Sequence, residues 1–202
     1  MRNNSWMLGV VLAAVTALAP DLALAHTGHG HVSGFLHGFG HPLGGADHLL
    51  AMVTIGLLAA SLGGRALWAV PASFVAAMLA GGVIAINGVP MPFVEFGIAL
   101  SVVVLGLATA TAWNGPVMAT MGLAALFALS HGYAHGAEMP VDAAGATYAA
   151  GFVLATSLLH LGGIGLGLAA RRLSEGPKLI RIAGLVVALA GAGLVAVQVA
   201  GA

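Results

Sequence analysis

Hydrophobic positions along the chain come in long blocks rather than in alternation. Six of these blocks run about Gly44 to Leu62, Ala66 to Ile86, Pro92 to Thr111, Pro116 to Gly136, Ala146 to Ala170 and Leu179 to Ala200. The hydrocarbon core of a bilayer takes about 20 residues of α-helix, and each block is roughly that long. Between them stand Gly63-Gly64-Arg65, Asn87-Gly88-Val89-Pro90, Trp113-Asn114-Gly115-Pro116, Glu138-Met139-Pro140-Val141-Asp142, and the stretch from Arg171 to Lys178. Turn-forming and charged residues of this kind end a membrane helix without stranding backbone groups in lipid. The pattern predicts an all-α integral membrane protein, one bundle of six transmembrane helices without a convincing internal repeat.

A shorter apolar block precedes these six. Arg2 leads into about 13 apolar residues, Trp6 to Leu18, followed by Ala23-Leu24-Ala25 ahead of His26. That length suits the core of a secretory signal (~7–15 residues) and falls below a span. The expected organisation is a signal peptide over 1–25, cleaved after Ala25, a His-rich periplasmic segment over 26–43, and the six-helix transmembrane domain over 44–202. The other reading of 1–25, an uncleaved first helix, leaves every later segment with the same orientation.

Composition narrows the function. The 202 residues are 60% hydrophobic and 6% charged, with six basic and six acidic side chains, against roughly 25% charged in an ordinary soluble domain. A net charge of zero provides no electrostatic footprint for nucleic acid, so the expected surroundings are lipid. There is no cysteine, which excludes disulfides, thiolate nucleophiles and thiolate metal sites. A metal site here uses histidine, carboxylate, methionine, backbone or water. If His26 starts outside the cytoplasm, Arg65, Arg171, Arg172, Lys178 and Arg181 all fall inside, as the positive-inside rule asks. Asp47, Glu95, Glu138, Asp142 and eight of the nine histidines then lie toward the outer face. The 31 glycines point to closely approaching helices; Gly163 and Gly167 either pack a neighbour or line a passage.

The chemistry concentrates in two stretches. In His41-Pro42-Leu43-Gly44-Gly45-Ala46-Asp47-His48-Leu49-Leu50-Ala51-Met52, Pro42 suits a first helical turn, which puts His41 at the helix start and His48 seven residues on along nearly the same face. Asp47 is about a third of a turn away. It joins His41 and His48 only if the glycine-flanked start bends inward or another helix completes the site; otherwise it pairs with or caps a neighbouring helix. A carboxylate at membrane depth costs at least ~2.5 kcal/mol and is rarely idle. Met52, a turn beyond His48, reads as packing rather more than as a thioether ligand. In the second stretch, Ser130 to Pro140, His131, His135 and Glu138 share one helical face at the outer mouth of the fourth span. Two imidazoles and a carboxylate suit a borderline divalent cation, while a lone His pair at this spacing is also a common structural pair.

Other candidates are weaker. Glu95 either completes the site or ends its helix in interfacial water. His160 lies deep in the fifth span, as a hydrogen-bonded neutral imidazole or as a further stop for metal, with Thr156 and Ser157 beside it. His26, His29 and His31 make a flexible metal collector or a dispensable tail, and His37 follows them.

The two stretches resemble the two signatures of the HupE/UreJ family of bacterial nickel and cobalt permeases: the H-x5-D-H motif of His41 to His48, and His131-Gly132-Tyr133-Ala134-His135-Gly136-Ala137-Glu138 in the fourth helix. The resemblance spans nearly the whole mature chain and includes a histidine in the fifth helix. It implies that His41, Asp47, His48, His131, His135 and Glu138 handle metal. It also implies a non-enzymatic permease of the bacterial inner membrane, serving hydrogenase or urease maturation, with Ni2+ or Co2+ as transported substrate and no tightly bound cofactor.

The leading expectation is therefore a secondary transporter passing Ni2+ from periplasm to cytoplasm. Ligand chemistry alone also admits cobalt, copper and zinc. No G-x4-G-K-[ST] loop is present and Lys178 is the single lysine, so ATP is not used through a Walker A site. A divalent cation crossing ~100 mV gains about 4.6 kcal/mol, enough for a gradient of roughly a thousandfold. Two alternatives use the same residues. One is an intramembrane zinc-dependent hydrolase, with Asp47, Glu138 or Ser130 acting on a metal-bound water. The other is a metal sensor or chaperone subunit, which would require a soluble partner domain.

Overall fold

The computed structural model describes residues 34–139 and 143–201, and these form seven helices. They are α1 (Gly34–Gly44), α2 (Ala46–Leu62), α3 (Ala66–Ile86), α4 (Val94–Ala110), α5 (Val117–Glu138), α6 (Ala143–Ala170) and α7 (Gly176–Ala200). The expected signal peptide, His26, His29, His31 and Asp142 lie outside the described residues. There is no strand among the described residues. Helices α3, α5, α6 and α7 are long and apolar enough to cross a membrane, and α1 with α2 makes a fifth such element bent by 82°. At 17 residues α4 is apolar but shorter, about 26 Å of helix against roughly 30 Å of hydrocarbon.

Breaks fall where the local chemistry demands them. Gly63 (φ 70°) and Gly64 (φ 53°) turn the chain through the left-handed region that glycine alone enters freely. The carbonyls left over at the ends of α2 and α4 are taken by basic side chains. Arg171 Nη1 donates to the Ala60 carbonyl at 2.6 Å and Arg181 Nε to that of Ala110 at 2.9 Å, which also sets positive charge against the negative helix ends. Arg65, Arg171, Arg172, Lys178 and Arg181 thus gather at one end of the bundle, opposite Asp47, Glu95 and Glu138.

Helix α2 is the central element. Ten of its residues, from His48 to Ala60, are buried, and it touches every other described helix. Around it, helices approach through glycines. A Cβ on Gly132 would fall on the Met78 carbonyl and one on Gly163 on the Val53 carbonyl, so α5 lies directly against α3 and α6 against α2. Lipid supplies no hydrophobic drive between helices, and such backbone contact holds them by dispersion instead. Gly163 and Gly167 face Gly56 and Ala60, which assigns that stripe to packing.

One element departs from the expected layout. Residues 34–44 form α1, packed along α6, where Gly38 abuts the Tyr148 backbone and Gly151 that of Phe35. Pro42 therefore sits in the last turn of α1, not in the first turn of a span, and His41 and His48 belong to two helices joined at Gly45.

Candidate metal site

Helix α5 projects His131, His135 and Glu138 from one face at decreasing depth, as positions i, i+4 and i+7 must. The bend at Gly45 then brings the other half of the site to them. Helix α1 delivers His41 from the outside, while the first turn of α2 delivers Asp47 and the buried His48. Gly45 is required by closeness: a Cβ there would lie 2.8 Å from Asp47 Oδ1 and 3.2 Å from His48 Nδ1. The inward bend on which a shared site depended is therefore present.

The imidazoles form a continuous file. Ligand atoms of His41, His135 and Glu138 all lie within 4.8 Å of one another, with His41 Nε2 at 3.5 Å from Glu138 Oε2. Ring centroids are 4.6 Å apart for His41 and His135, 4.5 Å for His135 and His48, and 4.6 Å for His48 and His131. Exposure is greatest at the Glu138 end, where that side chain is 46% exposed, and least at His131, at 0%. A cation between His135 and Glu138 would also lie at the C-terminal end of α5, where the helix dipole favours positive charge.

Hydrogen bonding fixes which nitrogens face the file. Asp47 Oδ1 accepts from both the backbone N–H and the ring Nδ1 of His48, each at 2.8 Å. A carboxylate only accepts, so Nδ1 holds the proton and Nε2 keeps its lone pair. Ser101 performs the same task for His131. Its one hydroxyl proton goes to the Ile98 carbonyl at 2.6 Å, so its oxygen accepts from His131 Nε2–H at 3.0 Å and leaves the lone pair on Nδ1. His48 Nε2, His131 Nδ1 and both ring nitrogens of His135 are buried without a hydrogen-bond partner among the described residues. Buried polar atoms are nearly always paired, so three imidazoles presenting unpaired nitrogen in one place have the form of a site built for a ligand. Outer partners that orient ligating histidines in this way are a general feature of metal centres.

The remaining candidates are placed as follows. His37 is exposed on α1, 6.0 Å ring to ring from His41. Glu95 is exposed in the first turn of α4 and stands outside the converging group. Met52 is fully buried core. His160 is buried on α6, away from the outer group. Sequence reasoning missed Ser101, a lone serine in an apolar helix whose partner lies 30 residues away. It also missed the aromatic walls: Phe152, 3.9 Å from the His135 ring, and Tyr148, beside His37 and His41. A mostly apolar cavity of about 160 Å³ adjoins the group, lined by Met78, Gly82, His135, Gly136, Tyr148 and Phe152 among others.

The fold and the site define a class: helical proteins with several elements able to cross a membrane, in which histidine and glutamate side chains are grouped closely enough to hold a metal ion. The comparisons narrow this class. Residues 12–194 match the family model described as HupE / UreJ protein. The chain is 44% identical over 186 residues to the protein named Protein HupE from Rhizobium leguminosarum bv. viciae, covering 91% of this chain and 96% of that one. This chain belongs to the HupE/UreJ family. No solved structure matches it.

Proposed function

We propose that the protein is a permease that admits Ni2+, or Co2+, from the periplasm to the cytoplasm for the maturation of a metalloenzyme such as hydrogenase or urease. The observation that carries the reading is the set of buried, unpaired imidazole nitrogens on His48, His131 and His135, two of them fixed in tautomer by Asp47 and Ser101. Nitrogen with one carboxylate suits a borderline divalent cation. His41, His135 and Glu138 form the outer capture group; His48 and His131 take the ion inward. Asp47 acts by orienting His48. In this reading the bent pair α1–α2 is one span and α4 the sixth, with the basic end cytoplasmic, as the positive-inside rule places it. The membrane potential alone supplies about 4.6 kcal/mol per divalent ion at ~100 mV.

Equilibrium binding tests the site. Purified protein titrated with Ni2+ is expected to bind with a Kd that rises at least tenfold in His135→Ala and His48→Ala. Glu175→Gln, paired with Lys178 at the opposite end, leaves it unchanged. Equal affinity in all four proteins would remove the assignment.

A further inference from the structure

The buried imidazoles do not end at His131. His160 on α6 is 1% exposed, and neither of its ring nitrogens meets a hydrogen-bond partner among the described residues. Phe74 of α3, itself fully buried, is the shared neighbour of the two histidines, its ring 5.7 Å from His131 and 5.1 Å from His160. Thr156, one turn earlier on the same face of α6, is fully buried, and its hydroxyl donates to Met78 Sδ at 3.9 Å.

A histidine kept only for packing would commit its N–H to a carbonyl or a hydroxyl. His160 does neither, although a hydroxyl lies one turn away and is directed at a thioether instead. A neutral imidazole carries one donor and one acceptor, and at lipid depth both must find a partner in the protein or in a ligand. Helix α6 continues ten residues beyond His160 to Ala170, about 15 Å of helix toward the basic end of the bundle.

We propose that His160 is an inner binding station for the transported divalent cation, reached from His131 past Phe74, with the Thr156 hydroxyl and the Met78 thioether as weak companion donors. The proposal rests on the permease reading above. One strong nitrogen donor with two weak ones suits brief residence, whereas the imidazoles and carboxylate of the outer group suit capture. An ion handed from the richer set to the poorer one is then free to leave at the cytoplasmic end.

The test compares wild type, His160→Gln and His160→Phe as full-length protein. Ni2+ flux is measured in proteoliposomes, and Ni2+ affinity and thermal unfolding in detergent. Glutamine keeps hydrogen-bonding capacity but gives up the imidazole donor. Both variants are expected to unfold at the wild-type temperature, to keep the outer-group Kd, and to lose at least tenfold in flux. His160→Gln carrying Ni2+ at the wild-type rate overturns the inner station and leaves the permease reading standing. A wild-type protein that carries no Ni2+ overturns both. If both variants unfold, anomalous scattering at the nickel edge from Ni2+-saturated wild type decides. A peak within bonding distance of a His160 ring nitrogen supports the station, and a peak at the outer group without an inner one overturns it.

Discussion

Replacing Ser101 by alanine removes one oxygen from a fully buried position on α4 and introduces no new atom. The Ile98 carbonyl keeps its own helical partner four residues on, so the change is confined to His131. In the wild type, the bond from His131 Nε2–H to Ser101 Oγ favours the tautomer whose Nδ1 lone pair faces the file. Without it, either Nε2–H stays buried and unpaired, which costs about 1–3 kcal/mol, or the proton moves to Nδ1 and occupies the lone pair that would bind the ion. A net hydrogen-bond contribution of about 1–1.5 kcal/mol lost from the binding-competent form corresponds to roughly a tenfold rise in Kd. That is the low end of the ~10–100-fold that loss of an orienting partner costs metal centres. The assay is Ni2+ titration of purified Ser101→Ala beside Ser101→Thr, which restores a hydroxyl. The expected result is a tenfold weaker Ala variant and a Thr variant near wild type. Alanine binding within twofold of wild type would refute the tautomer argument, and equal losses in both variants would assign the effect to packing instead.

Two further outcomes are expected. Gly132→Ala places a methyl on the Met78 carbonyl and forces α3 and α5 apart, so thermal unfolding in detergent should report a loss of about 1–3 kcal/mol. Gly122→Ala on the same helix, with open space around it, should report none; equal behaviour of the two would contradict the close-approach account. Ni2+ affinity should be greatest at high pH, because each binding imidazole needs its lone pair. It should weaken on acidification, because protons and the ion compete for the same nitrogens. A Kd that does not rise at any acid pH at which the protein stays folded would exclude histidine ligation.

The long helices were legible because apolar length and turn chemistry fix them: Ala66–Ile86 falls at the expected residues, and the other long blocks fall within a few. Helix α1 was not. Its sequence, GFLHGFGHPLG, holds four glycines and a proline in 11 residues, and intrinsic propensity argues against a helix there. The glycines that weaken it locally are what let it lie against α6, a contact visible only in three dimensions. That His131, His135 and Glu138 share one face of α5 was legible from their i, i+4, i+7 spacing. The meeting of that row with Asp47 and His48 was legible only conditionally, through a bend at the glycines or completion by another helix; α1 and α2 bend by 82° at Gly45, and α5 supplies the facing histidines. Ser101 was not legible, since a serine in an apolar helix ordinarily bonds back to its own helix, as this one also does to Ile98.

The most direct measurement is time-resolved Ni2+ entry into proteoliposomes under an imposed potential, comparing wild type with Asp47→Ala and His131→Ala. Potential-dependent uptake by the wild type, with at least a tenfold loss in each variant while the protein stays folded, is the result expected of the proposed permease reading. Absent uptake by wild-type protein that retains a stoichiometric metal through chelator washing would contradict it.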